Sequence, residues 1–206
     1  MFCHQGSLEL LEKIYQDRKL QHYAAKQNIH LYGDDVLILY RGLVQVQTFH
    51  HSGDETILGL LGPMMPIGRS FSDLASSEIY TLSEVYLLRL SWQDIEKSHA
   101  LALEMNQLLT RRLQQMEILL ALRNKRQVDE RLLGLLAFLA CEFGKETSEG
   151  IDIDIRLTHQ QIANMVGSTR VTITRCMGAL RKANVLRKKK GGHLCVHKNV
   201  LSLSGQ

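Results

Sequence analysis

The sequence predicts an α+β protein in three consecutive parts: a β-roll over residues 1–99, a long dimerisation helix over residues 100–124 and a winged helix-turn-helix over residues 125–206. Three observations predict this fold. Short apolar runs separated by turn residues fill the first half, one long helical pattern follows them, and two short amphipathic helices separated by a glycine lie near the C-terminus. A chain of 206 residues suits one large or two modest domains, each able to bury a core.

The β-roll is predicted from short apolar runs that follow one another closely. An amphipathic helix opens residues 7–28, and the β-like runs then occupy residues 36–40, 43–49, 55–61 and 79–90. LVQVQTF and EVYLLRL partly alternate in polarity, as strands with one buried face do. Short strands with glycine turns between them are typical of a small β-sandwich or barrel-like roll.

The long helix predicted after the roll is apolar over more than one face, which is more than packing against its own domain requires. A short helix over residues 92–97, capped by Ser91, precedes the long pattern from about Ala100 to Leu122. We predict a parallel two-helix seam between two subunits, and the alternative is a helix that lies only on the β-roll. The predicted seam residues, at spacings of four, three and four, are Leu109, Leu113, Met116 and Leu120.

The segment that follows predicts a hinge, a buried helix and a strand. Polar residues 123–127 mark the hinge, and RLLGLLAFLACEFG at residues 131–144 predicts an apolar helix that its last glycine ends. The alternating run IDIDIRL at residues 151–157 predicts a strand. Beyond the helix-turn-helix, residues 185–197 predict a hairpin turned by two glycines, which completes a winged helix.

The stretch from Leu157 to Leu186 predicts the helix-turn-helix itself. Thr158 and Gln161 have the spacing of a capping box at the start of its first helix. Gly167 is expected to end that helix, and Ser168 to cap the second one. The alternative is an ordinary helical hairpin with a solvated cationic face.

The second helix has one apolar face and one cationic face at 3.6-residue spacing. The apolar face carries Ile173, Cys176 and Leu180. The opposite face carries Arg170, Val171, Thr174 and Arg175.

Net charge is divided unevenly along the chain. Residues 1–150 hold 15 Lys and Arg against 19 Asp and Glu, whereas residues 151–206 hold 10 against 2. A basic C-terminal domain on an acidic body is typical of a protein that binds a polyanion with one end.

The composition argues against several other classes of protein. The four cysteines are scattered without a C-x-x-C pair, so neither a disulfide framework nor a metal or iron–sulfur site is predicted. Cys141 and Cys176 are expected to be small core residues. No apolar run can span a bilayer and no signal segment opens the chain, which predicts a cytoplasmic protein without a membrane partner. An enzyme is the poorest interpretation, because no nucleophile–base set, paired carboxylates or phosphate loop stands out.

The β-roll, the long helix and the winged helix-turn-helix together resemble the CRP/FNR family of bacterial transcription regulators. GSTRVTITR at residues 167–175 is similar to the cyanobacterial nitrogen-control branch, the NtcA-like regulators, as are ERLLGLLAFLACEFG and IDIDIRLTHQQIA. The resemblance implies a homodimer that binds palindromic double-stranded DNA and contacts RNA polymerase. The alternative is a small-molecule sensor that acts mainly through protein contacts and binds DNA weakly.

The resemblance also implies two kinds of DNA contact. Arg170 and Arg175 match the family's base-reading arginines, whereas Val171 stands where cyclic-AMP-type members have a glutamate. Valine offers only apolar contact, for instance to a thymine methyl group, which implies an operator closer to the GTA…TAC palindrome. The residues expected at phosphates are Thr158, His159, Ser168, Thr169 and Thr172, with Lys188 and Lys189 of the wing adding affinity through counterion release.

The effector turn departs from the cyclic-AMP pattern of the family. It reads Ile67, Gly68, Arg69 and Ser70, and Ala75-Ser76 stand where an Arg-Ser pair grips the phosphate in those members. Without that arginine no bidentate phosphate contact remains, so cyclic AMP is not expected to bind.

The NtcA-like resemblance implies 2-oxoglutarate as the candidate effector. Those members hold this dicarboxylate through backbone amides of the turn and through arginines from the roll and the long helix. Arg126 is the expected helix arginine, and Arg69 is the candidate substitute for a roll arginine that has no counterpart. A different ligand, or a roll that serves only folding and dimerisation, is the alternative.

Overall fold

A computed structural model describes residues 19–49, 55–68, 77–153, 155–189 and 192–201. The chain divides into two compact units. One comprises Met1–Phe49 with Gly59–Gln115, and the other His50–Leu58 with Met116–Gln206. The predicted helix at the start of the chain falls on residues 1–18, which lie outside the described residues.

Eight described strands precede the long helix and form the predicted β-roll. They make two four-stranded sheets in the orders β1-β8-β3-β6 and β2-β7-β4-β5. The strands are β1 (Gln21–Tyr23), β2 (Asn28–Ile29), β3 (Asp35–Arg41), β4 (Val44–Phe49), β5 (Glu55–Leu61), β6 (Pro66–Gly68), β7 (Ser77–Thr81) and β8 (Val85–Ser91).

Strand β3 shows why an apolar run without alternation forms a strand here. Within its sheet β3 lies between β8 and β6. Both faces of the strand are covered, since all four residues of its apolar run are buried: Val36, Leu37, Ile38 and Leu39. A strand buried on both faces has no polar side to alternate with the apolar one.

The structure corrects the prediction in two places. The run over residues 79–90 is not one strand, because the chain turns at residues 82–84 and continues as the separate strands β7 and β8. Strands β1, β2 and β6 were not predicted, since a strand of two or three residues is too short to display a polarity pattern.

Two helices follow the β-roll as predicted. Helix α1 (Trp92–Glu96) begins at Ser91, whose hydroxyl accepts from the Asp94 amide in a capping box. Helix α2 (His99–Arg123) follows as the predicted long helix. Buried residues of β3 and β8 pack with residues of both helices to form the core cluster, which comprises Val36, Ile38, Met64, Leu88, Leu90, Ile95, Met105 and Leu108.

The second unit contains the winged helix-turn-helix. Its helices are α3 (Val128–Phe143), α4 (His159–Val166) and α5 (Arg170–Lys182). Its sheet has the order β11-β12-β10-β9, with β9 (Gly144–Thr147), β10 (Gly150–Ile153), β11 (Leu186–Lys188) and β12 (Leu194–Val196). Helix α3 is buried along most of its length, in agreement with its apolar sequence.

The boundaries in this unit differ from the predicted ones for local reasons. Helix α3 begins at Val128 rather than at residue 131, because Asp129 and Glu130 are acidic residues in a first turn, where the helix dipole favours them. Strand β10 ends at Ile153 instead of continuing to residue 157. Strand β9 was not predicted, since its sequence GKET has no apolar residue.

Candidate nucleic-acid interface

The first helix of the helix-turn-helix begins at the predicted capping box. The Thr158 hydroxyl accepts from the Gln161 amide at 3.1 Å, and the Gln161 side chain accepts from the Thr158 amide at 2.9 Å. The helix ends at Gly167, whose φ of 63° is left-handed and favours glycine. Both predictions are confirmed.

The second helix begins one residue later than predicted. Thr169, not Ser168, is its N-cap, because the Thr169 hydroxyl accepts from the Thr172 amide at 3.2 Å. Ser168 belongs to the turn, where its own amide donates to the Ala163 carbonyl at 2.9 Å. Two adjacent hydroxyl residues gave equal sequence signals for the cap, and the backbone conformation decides between them.

Helix α5 presents its two faces as predicted. Ile173 and Cys176 are buried, together with Met177, whose burial was not predicted. On the outer face Val171 is 80% exposed. Arg170 and Arg175 are exposed as well, so the three positions predicted to read bases are accessible. Thr174, on the same face, is also exposed.

The two threonines at the start of α5 share one hydrogen bond. The Thr169 and Thr172 hydroxyl oxygens lie 2.9 Å apart, and either of them can donate to the other. One of the two hydroxyl protons is therefore used internally, and the pair offers one free donor to a phosphate oxygen.

His159, the first residue of α4, is joined to the outer face of α5. Its Nδ1 lies 2.8 Å from the Thr174 hydroxyl oxygen, and that hydroxyl donates to the Arg170 carbonyl at 2.8 Å. Burial lowers the pKa of His159, and the nearby cations Arg181, Arg170 and Lys188 lower the same pKa further. A lowered pKa favours the neutral imidazole at neutral pH.

The two predicted wing lysines differ in their surroundings. Lys188 is exposed and forms no ion pair with the described residues. The Lys189 ammonium donates to Asp152 at 2.6 Å and lies 3.6 Å from a carboxylate oxygen of Glu149. The hydrogen bond from Lys189 lowers the pKa of Asp152. The same bond raises the pKa of Lys189.

Cys195 of the wing lies next to the Asp152 carboxylate of this ion pair. Cys195 of β12 is buried, and its pKa is raised to about 11, first by burial and then by the neighbouring Asp152 carboxylate. A thiol with such a raised pKa stays protonated, which leaves it unreactive at neutral pH. Cys176 is buried as predicted, but Cys141 is exposed, so its expected place in the core was wrong.

The predicted effector turn is described only in part. Ile67 and Gly68 are buried in β6, whereas Arg69 and Ser70 lie outside the described residues. Arg126 is exposed in the loop between α2 and α3.

An arginine that the sequence did not single out lies beside the effector turn. Arg112 of α2 is partly buried, and its guanidinium donates to the Pro66 carbonyl, at the start of β6, at 2.7 Å. Burial lowers its pKa. Within the described ranges no carboxylate forms an ion pair with Arg112.

The predicted dimer seam is exposed over its second half. Leu113, Met116 and Leu120 are 58%, 49% and 64% exposed. Leu109, by contrast, is half-buried against the core cluster of its own unit. Leu113, Met116 and Leu120 therefore form an exposed apolar row along one face of the helix.

The described residues contain neither a group of metal ligands nor a helix that could cross a membrane. Among the residues that the structure describes, no three His, Cys, Asp or Glu side chains are grouped as a metal site would require. None of the described helices is both long and apolar enough to cross a membrane.

The exposed cationic helix behind a short turn, together with the adjacent hairpin, defines a winged-helix DNA-binding protein. Residues 130–200 match the family model of the Crp-like helix-turn-helix domain. Similar structures support the complete fold. A CRP-family transcriptional regulator from Thermus thermophilus has a TM-score of 0.76 at 18% identity, covering 90% of this chain and 97% of that one.

Curated relatives extend the match beyond that domain. The regulatory protein CysR of Synechococcus elongatus is 37% identical over 151 residues, which cover 72% of this chain and 69% of that protein. The global nitrogen regulator of Synechocystis is 34% identical over 182 residues, covering 83% and 79%. The chain belongs to the CRP/FNR family of DNA-binding transcription regulators, as the resemblance implied, and such a regulator is not an enzyme.

Proposed function

We propose that the chain acts as a homodimer that reads a palindromic DNA operator through the outer face of α5. The observation that supports this most directly is the accessible row formed by Arg170, Val171 and Arg175 on that face. Arginine donates in bidentate fashion to guanine, and valine packs against a thymine methyl group. Two such helices, one from each subunit, reach successive major grooves of one operator.

The exposed apolar residues of α2 supply the dimer contact in this proposal. When the α2 helices of two subunits pair in parallel, the exposed apolar residues of one helix pack against those of the other. These residues are Leu113, Met116 and Leu120. The nitrogen regulators among the relatives suggest nitrogen control as the process. The NtcA-like resemblance of residues 167–175 suggests the GTA…TAC palindrome as the operator. RNA polymerase is the further partner of the operator-bound dimer.

A binding assay with matched duplexes tests this function. Fluorescence anisotropy compares a labelled duplex that contains the GTA…TAC inverted repeat with one in which the same bases are scrambled. We expect tighter binding to the inverted repeat by a factor of about 10³ or more at physiological salt. Equal affinity for both duplexes at every salt concentration contradicts sequence-specific recognition and favours the protein-contact alternative.

We also propose that the β-roll binds a dicarboxylate such as 2-oxoglutarate through Arg112. The support is the contact between its guanidinium and Pro66, since Pro66 begins the strand that contains Ile67 and Gly68. A guanidinium without a carboxylate partner in the described residues suits an anionic ligand. Arg112 therefore takes the role that the sequence had assigned to Arg126.

Calorimetry with two matched variants tests this effector. We expect Arg112→Gln to lose at least tenfold in 2-oxoglutarate affinity, because the Arg112 guanidinium contacts the start of the effector strand. Arg126→Gln is expected to retain that affinity. Cyclic AMP is expected to produce no binding heat with the wild-type protein. Unchanged binding by Arg112→Gln refutes the assignment.

A further inference from the structure

His159 has a hydrogen-bond arrangement that fixes which of its ring nitrogens is protonated. The Thr174 hydroxyl has one proton, and it donates that proton to the Arg170 carbonyl at 2.8 Å. The same hydroxyl oxygen lies 2.8 Å from Nδ1 of His159. Because the hydroxyl proton is already used, the oxygen accepts there, and Nδ1 is the donor.

The protonation of Nδ1 determines whether Nε2 can donate a hydrogen bond. In a neutral imidazole only one nitrogen has a proton, so Nε2 has a lone pair when Nδ1 is the donor. A lone pair and a phosphate oxygen are both acceptors, and they repel each other. The neutral form of His159 that Thr174 selects is therefore unable to donate to the DNA backbone through Nε2.

We infer that His159 contacts a DNA phosphate only as an imidazolium ion, so that operator binding takes up one proton at His159 in each subunit. Protonation of Nε2 gives the ring a second donor while the Nδ1 bond to Thr174 is kept. The inference rests on the proposed DNA interface, and it makes affinity for the operator depend on pH.

The charged groups around His159 support proton uptake on binding. In the free protein burial lowers the pKa of His159 most, and three cations lower it further. These are Arg181 and Arg170 of α5 and Lys188 of β11. DNA phosphates neutralise this cationic surrounding and raise the pKa of the ring. Between the free and the bound pKa, affinity therefore rises as the pH falls.

The test combines a pH series with three variants of the full chain. Operator affinity is measured by anisotropy between pH 6 and pH 8.5. The slope of the logarithm of the association constant against pH gives the number of protons taken up on binding. For the wild type we expect a negative slope that includes about one proton per subunit from His159. In His159→Gln the neutral side-chain amide donates without taking up a proton, so this variant is expected to lose that contribution.

Thr174 provides a second, independent variant. Thr174→Val removes the acceptor at Nδ1, so the neutral ring can place its proton on Nε2 and donate to phosphate without taking one up. We expect Thr174→Val to bind DNA at pH 8.5 at least as well as the wild type, with a reduced pH slope. Thr174→Ser keeps the hydroxyl and is expected to keep the slope.

Nitrogen NMR of the free protein reports the proton position directly. The ¹⁵N shifts of the His159 ring are expected to show the Nδ1–H form at pH 8. An Nε2–H form, or an unchanged pH slope in His159→Gln, overturns the inference while the proposed function stands. Failure of every variant and of the wild type to bind the palindrome at any pH refutes the proposed function and the inference together.

Discussion

The ammonium of Lys189 donates to the carboxylate of Asp152 at 2.6 Å, so one of the two predicted wing lysines is ion-paired within its own sheet. Lys188, the residue before it, is exposed and forms no ion pair with any described residue. Lys188 is the last residue of β11, whereas Lys189 lies just beyond it, where its amide donates to the His193 carbonyl at 2.9 Å.

This difference predicts unequal salt dependence. Plotted against the logarithm of the salt concentration, the logarithm of the DNA association constant falls with a negative slope. Lys188→Ala is expected to make this slope less steep by about one, because a free ammonium at a phosphate releases one counterion. Lys189→Ala is expected to change the slope by less, since its charge is already balanced. Asp152→Asn frees Lys189 and is expected to steepen the slope, as measured by anisotropy titrations at several salt concentrations. A larger loss for Lys189→Ala than for Lys188→Ala contradicts this assignment.

Arg170 is predicted to read a base rather than a phosphate. Its replacement by alanine is expected to cost about 1–3 kcal/mol on the operator and to relax specificity at one base pair of each half-site. The measurement is anisotropy with a panel of single-base operator variants. If Arg170→Ala weakens binding to operator and to random DNA by the same factor, the arginine contacts only the backbone.

Gly167 is required by the geometry of the turn. Its φ is 63°, and a Cβ at this position lies 3.4 Å from Nη2 of Arg123. Gly167→Ala is expected to destabilise the protein by about 1–2 kcal/mol, the cost of a left-handed conformation in a non-glycine residue.

Gly178 in α5 is the matched control for this substitution. A Cβ at Gly178 meets nothing within 4 Å, and the residue is helical. Gly178→Ala is expected to stabilise the protein by about 0.5–1 kcal/mol, because alanine is the better helix former. Thermal or urea unfolding measures both variants, and a Gly167→Ala variant as stable as the wild type argues against the turn geometry.

The exposed half of the seam predicts the effect of charge on assembly. Leu113→Glu combined with Leu120→Glu is expected to give a monomer in analytical ultracentrifugation, because carboxylates would be buried at the helix pair. Both leucines are mainly exposed within one chain, so unfolding of the monomer is expected to change little.

Ile118 is the control for the seam. It is 48% exposed and lies about 140° around the helix from Leu113. Ile118→Glu is expected to leave the dimer intact. Dissociation by Ile118→Glu, or a dimer that survives the double variant, places the interface on another face.

The local signals of the helix-turn-helix were sufficient to predict it from sequence. Thr158, Gln161 and Gly167 act through backbone conformations and hydrogen bonds that involve only near neighbours, so their pattern is readable without the fold. The same holds for the apolar run of β3. Where local signals were equal, as at Ser168 and Thr169, the prediction was wrong by one residue.

The effector residues depended on packing, which the sequence does not display. Arg111 and Arg112 are identical neighbours on one helix, and the rotation of α2 against the roll brings Arg112 to Pro66. The environment of Lys189 likewise depends on which strands are adjacent, since β10 and β11 are separated in the chain by the whole helix-turn-helix.

Selection of duplexes from a random pool by the purified chain examines recognition by paired α5 helices without assuming an operator. We expect enrichment of an inverted repeat whose half-sites lie one helical turn apart, with the enriched half-site altered in Arg170→Ala. Enrichment of no motif, or of a single unrepeated half-site, would contradict recognition by a pair of α5 helices.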